Sequence, residues 1–109
     1  MTKQRDILLV PFPFSNQSGM KVRPVLVLSN DAYNVASDDL IVCGITSVQR
    51  KEYAVPLTPA DLEEGVLHES STIKVDKLLK ISKVLIHKKI GMVKPLLFTK
   101  VKTVLLRLF

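Results

Sequence analysis

Lys21-Val22-Arg23-Pro24-Val25-Leu26-Val27-Leu28-Ser29 is the stretch that decides the fold. Four apolar residues in succession, Val25 to Leu28, come after the turn-rich segment Phe12-Pro13-Phe14-Ser15-Asn16-Gln17-Ser18-Gly19. A short apolar run bounded by turn residues, with no polar alternation, reads as a strand covered on both faces. Arg23 and Pro24 stand at its mouth, so the guanidinium is carried by a rigid element. The planar fork of an arginine so placed matches two phosphate oxygens at once. The same residue would serve equally as a cap on a barrel rim or as the partner of a surface carboxylate.

Outward from this strand the chain is mostly short apolar runs separated by turns. Ile7 to Val10 predicts a first strand, closed by Pro11-Phe12-Pro13, and Val22 to Ser29 a second. Leu40 to Thr46 predicts a third, and Glu52 to Leu57 a weaker fourth, placed at an edge because Pro56 cannot donate to a ladder. Thr58-Pro59-Ala60-Asp61-Leu62-Glu63-Glu64-Gly65 carries a helical turn's signals: N-cap threonine, proline at the first position, acids behind it and a terminating glycine. Ser71 to Val75 alternates as a strand, Asp76 is suited to cap a turn through Leu79, and Val84 to Val93 predicts the last strand. From Pro95 onward, Leu97, Val101, Val104, Leu105 and Leu108 form one helical stripe, with Phe98, Leu106 and Phe109 partly off it. That overhang predicts a second buried surface and self-association. The expected fold is mainly β: a single domain over residues 1–109, built as a small, strongly curved β-barrel closed by a C-terminal amphipathic helix.

Composition narrows the setting. The chain is 47% hydrophobic, yet no apolar run approaches the ~18 residues of a membrane helix. No secretory signal is visible at the start, so the cytoplasm is the expected location. Cys43 is the lone cysteine and lies within an apolar run, which suits a small core residue better than a nucleophile. Residues 1–73 carry six Lys/Arg and nine Asp/Glu, a net of −3, whereas residues 74–109 carry ten and one, a net of +9. A basic C-terminal third points to a polyanionic partner, or to a solvated lysine surface that aids solubility.

The residues that could do chemistry are few. There is no phosphate-cradling glycine loop, no nucleophile elbow and no Cys/His spacing suited to zinc, which points away from metal-dependent hydrolysis. What remains is a polar set near strand ends: Arg23, Thr46, Ser47, Lys74, Asp76 and, more remotely, His87. Thr46 and Ser47 emerge where a strand leaves the core, as site hydroxyls or as ordinary strand-end caps. Asp76 is a candidate base or a turn-capping residue. His87 and His68 read as exposed histidines without a role.

In order along the chain, Asp6-Ile7-Leu8-Leu9-Val10-Pro11-Phe12-Pro13-Phe14, Lys21 to Ser29, Ile45-Thr46-Ser47, Val75-Asp76-Lys77-Leu78 and Lys89-Ile90-Gly91 resemble the successive motifs of the MazF/PemK family of toxin endoribonucleases. The resemblance spans roughly residues 6 to 108. It implies an SH3-like barrel of five to seven strands with a C-terminal helix, working as a homodimer. It also implies a toxin that cleaves single-stranded RNA, often messenger RNA, at short sequences with no cofactor or metal. An antitoxin would silence it by filling the RNA groove. Arg23 takes the place of the family arginine at the scissile phosphate and Thr46 that of the strand-end hydroxyl, with Asp76 as the third candidate catalytic residue. Ser47, Lys74, Lys21 and the loop residues Ser15, Asn16 and Gln17 are the expected RNA contacts.

Two departures from the family pattern matter. Lys74 stands where many members carry an arginine two positions before the aspartate; it keeps the charge and can donate a proton but loses the bidentate fork. The loop before Arg23 offers neither a histidine nor an acid. The rival expectation is therefore a barrel of the same fold that binds RNA or an antitoxin with cleavage weakened or lost.

Overall fold

The computed structural model describes residues 1–13 and 20–109. Seven strands form one antiparallel sheet: β1 (Asp6–Pro13), β2 (Met20–Val27), β3 (Asp39–Thr46), β4 (Ala54–Leu57), β5 (Leu62–Gly65), β6 (Ser71–Ser82) and β7 (Lys88–Val93). Their order is β4-β6-β3-β2-β1-β7-β5, so Pro56 lies on an edge strand as expected. Among the described residues there are also two α-helices, α1 (Asp31–Ala36) between β2 and β3, and α2 (Pro95–Leu106) at the end.

The apolar run in β2 is covered on both sides, with Val25, Leu26 and Val27 all at 0% exposure. Side chains alternate across a strand, so the three divide between two clusters. Leu26 joins Ile7, Cys43, Ile45, Ile73 and Val93 beneath α2, which contributes Leu97, Phe98, Val101 and Val104. Val25 and Val27 join Leu8, Val10, Leu40 and Val42 on the opposite face, where Leu79, Ile81 and Ile86 pack against them. The second cluster has no helix above it. Leu79 and Ile81 from the far half of β6, and Ile86 just after the short 3-10 turn Lys83–Leu85, border it.

Several local expectations give way to longer-range pairing. Asp76 caps no turn: Ser71 to Ser82 is one long strand. Within it Cys43 pairs with Leu78 but Gly44 with Lys74, so Val75, Asp76 and Lys77 bulge out of the ladder with β3. The Thr58 turn shrinks to Pro59–Asp61, where Asp61 Oδ2 accepts the Thr58 N–H at 2.8 Å. The residues after it are drawn into β5 against β7. Val84 to Val93 is divided by the turn at Lys83–Leu85, leaving β7 to begin at Lys88. Phe98 belongs to the core and not to a second surface, because a core-facing helical stripe is wide enough to take in both Leu97 and Phe98. Leu106 and Phe109 remain exposed. Helix α1, unforeseen, is a six-residue element capped by Asn30, whose side chain accepts the Tyr33 N–H at 2.8 Å.

One buried charge ties strands together. Asp6 is fully buried; its Oδ2 accepts the Lys3 N–H at 2.8 Å and its Oδ1 lies 3.2 Å from Lys89 Nζ. Lys89 also bonds Glu64 at 3.0 Å. The Glu64 hydrogen bond, more than the contact with Asp6, raises its pKa above the ordinary lysine value. Strands β1, β7 and β5 thus share one ammonium.

Among the described residues no helix is long and apolar enough to cross a membrane. A tight backbone approach lies between β5 and β7, where Gly65 has φ of 85° and a Cβ there would collide with the Ile90 carbonyl. Gly65→Ala should therefore lower stability by at least about 2 kcal/mol, read from the shift in the urea unfolding midpoint.

Candidate functional site

Register places the candidate residues. Opposed residues of an antiparallel pair project from the same face, as do residues two apart along a strand. Leu8, Val25, Gly44, Lys74 and Ala54 are paired in succession across β1, β2, β3, β6 and β4. They form one transverse row on the face that lacks a helix. The next row starts with Val10 opposite Arg23 and ends with Thr46, Thr72 and Pro56 in mutual register. The β2–β3 ladder stops at Val25–Gly44, and continuing its register by two residues sets Arg23 across from Thr46. Arg23, Thr46 and Lys74 consequently share a face, on strands that are neighbours in the sheet.

This polar strip begins where the apolar cluster of Val25 and Val42 ends. Arg23, Thr46 and Lys74 are each half-buried, held by the sheet yet open on one side. Thr46 Oγ1 accepts the Val48 N–H at 3.1 Å, which leaves its hydroxyl proton available as a donor. Gly44 provides a floor without a side chain: the Lys77 and Lys74 chains pass 3.4 and 3.5 Å from where its Cβ would stand.

Charge confirms the clustering. The Lys74 pKa is lowered, first by burial and then by the cations Lys77, Arg50 and Arg23; Asp76 alone among its charged neighbours opposes them. Asp76 in turn forms an ion pair with Arg50. The looped-out stretch of β6 is what carries Asp76 and Lys77 to this place. Arg50 and Lys77 join this strip, and the sequence reading missed them. Arg50 comes from the weakly patterned connection between β3 and β4, and no motif marks it.

The other expected residues divide. Ser47 and Lys21 are exposed beside the strip, while Ser15, Asn16 and Gln17 lie outside the described residues. His68 and His87 are exposed. Cys43 is in the core, and burial pushes its thiol up to about 12. The basic C-terminal third is not one face: Lys80 pairs with Asp39, and Lys89 with Asp6 and Glu64.

A curved antiparallel sheet closed by a C-terminal helix, with a cationic strip where its uncovered face turns polar, defines the class: a small, mainly β fold. The chain belongs to the family described as PemK-like, MazF-like toxins of type II toxin–antitoxin systems, whose model matches residues 3–109. A comparison with curated proteins finds no match. Among solved structures, the chain is similar to an endoribonuclease in complex with its cognate antitoxin from a mycobacterial species, at 19% identity and a TM-score of 0.80, covering 98% of this chain and 93% of that one. It is similar also to the Mycobacterium tuberculosis toxin MazF-mt6, at 22% identity and 0.76, covering 93% and 92%. A chain from the MazE-MazF structure (Form-II) of Deinococcus radiodurans matches at 21% identity and 0.79, covering 98% and 94%. Identities this low speak for the fold alone.

Two measurements check the site's electrostatics. In an NMR titration of lysine side chains, Lys74 should lose its proton below the ordinary lysine value, and Arg50→Gln or Arg23→Gln should move that midpoint upward, since removing a neighbouring cation favours the ammonium. Cys43 should resist thiol reagents at pH 8 in the folded protein and react once denatured, because the thiolate is the nucleophile.

Proposed function

We propose that this chain is a metal-independent endoribonuclease that cleaves single-stranded RNA at specific short sequences. The observation that carries the reading is the alignment of Arg23 with Thr46 across β2 and β3, with Lys74 one row away. In the reaction the ribose 2′-oxygen bonds to the adjacent phosphorus and the bond to the 5′-oxygen breaks, giving a 2′,3′-cyclic phosphate and a 5′-hydroxyl. Charge builds on the non-bridging oxygens, so fixed donors aimed there lower the barrier. Arg23 supplies a two-pronged cation and Thr46 a neutral donor. The substrate carries its own nucleophile, so no serine or cysteine is called for.

Proton transfer falls to β6, at the bulge and the residue before it. Lys74 protonates the departing 5′-oxygen, helped by neighbours that already weaken its hold on the proton. Asp76 takes the proton of the 2′-hydroxyl. In the free protein its carboxylate is engaged by Arg50; an arriving phosphate competes for that guanidinium and releases it. A homodimer fits the exposed Leu106 and Phe109 at the end of α2. An antitoxin that occupies the cationic strip would block RNA, in keeping with the mycobacterial neighbour solved with its cognate antitoxin.

Purified protein incubated with a long single-stranded RNA in excess EDTA should give discrete cuts bearing cyclic phosphates. Arg23→Ala should slow them by about 100-fold or more, Thr46→Val less, and binding should weaken steeply with added salt. RNA retained without cuts would favour the binding-module reading, and cleavage that stops with EDTA would overturn metal independence.

A further inference from the structure

Tyr53 is the residue that the cleavage chemistry leaves unexplained. In the turn before β4 its backbone takes φ of 50°, a conformation that a bulky aromatic rarely adopts and glycine adopts freely. Such positions persist where the surroundings enforce them, and they concentrate at ligand clamps. Here the Tyr53 carbonyl accepts the Val75 N–H at 2.9 Å, so the looped-out segment of β6 holds the turn in place. The tyrosine is 39% exposed, large for an aromatic that so rigid a backbone fixes in position.

With Lys51, Glu52 and Arg107 it lines an open cavity of about 370 Å³ at the sheet edge, within the size range of small-ligand clefts. Among the described residues Lys51, Glu52 and Arg107 form no ion pair. Two uncommitted cations therefore flank an exposed ring. The cavity lies round the edge strand β4 from the cationic strip, on the side of α2. Ala54, next to Tyr53, pairs with Lys74, and Arg50, three residues before it, reaches Asp76.

We propose that this cavity is a nucleotide subsite: the base of an RNA nucleotide a few positions along the strand from the cut linkage stacks on Tyr53, while Lys51 and Arg107 hold its phosphate. The assignment rests on the RNA-cleaving reading above and extends it around the edge strand. Stacking on an aromatic tolerates any base. Glu52 adds selectivity, because a carboxylate accepts from an exocyclic amino group and repels a bare carbonyl edge. An acidic peptide would satisfy the cations but would leave the ring unused.

The chain has two tyrosines and no tryptophan, so Tyr33→Phe makes Tyr53 the sole source of intrinsic emission. The probe is a short 2′-O-methyl RNA of mixed sequence, which lacks the free 2′-hydroxyl and cannot be cut. Its binding should quench Tyr53 emission. Tyr53→Gly suits the backbone at this position and should keep the fold, checked by its melting temperature, while weakening binding about 10-fold; Tyr53→Phe should bind as wild type does. Lys51→Gln with Arg107→Gln should flatten the salt dependence. Binding that is equally tight in Tyr53→Gly, with emission unquenched, would overturn the subsite and leave RNA cleavage standing. Quenching by poly-glutamate and not by RNA would also overturn it, assigning the cavity to a protein partner. Failure of the wild-type protein to bind the probe at all would remove the RNA reading together with the subsite.

Discussion

Double-sided burial of β2 is the constraint from which the rest of the molecule follows. Leu26 is committed to the cluster under α2, while Val25 and Val27 are committed to the cluster on the other face. A slip of one residue exchanges the faces of a whole strand. Here it would drive Arg23 toward the helix-covered core, where an unpaired guanidinium is prohibitively costly. The position of the cation is thus fixed by hydrocarbon two residues away. Pro24 contributes as well: it has no N–H to offer, and the ladder to β3 ends just beyond it, at Val25. Arg23 and Thr46 therefore lie on one face of neighbouring strands, just past the last rung that joins them.

The sheet was legible where burial dominated. Val25 to Val27 and Leu40 to Ile45 are apolar runs with turn residues at their ends, and their reading required no knowledge of partners. Local chemistry misled where it competed with a ladder. Asp76 followed by Lys77-Leu78-Leu79 satisfies every rule for a capped turn, yet pairing of Leu78 and Leu79 with β3 keeps the segment extended. Glu63 and Glu64 look like the first turn of a helix, but Arg5 and Lys89, remote in sequence, meet them as ion pairs. Helix α1 was missed because six residues are too few to show a period.

The cationic strip that forms the candidate site was half legible. Arg23, Thr46 and Lys74 could be picked out because they adjoin apolar runs that announce strands. Arg50 could not, since its role depends on a connection of exposed residues folding back against a bulge. The charge asymmetry along the sequence was a poorer guide than it looked. Lys80 and Lys89 of the basic C-terminal third are answered by acids from the N-terminal part, and the cationic strip draws on both parts of the chain.

The bulge of β6 separates two duties that a regular strand must combine. Residues on either side of Val75, Asp76 and Lys77 keep the sheet in register, whereas Asp76 and Lys77 owe nothing to the ladder with β3. Substitutions at those two positions alter the electrostatics above Gly44 without asking the barrel to refold. The shape of the barrel and the charge above its glycine floor are thus set by different residues of one strand, so either can change without dragging the other along.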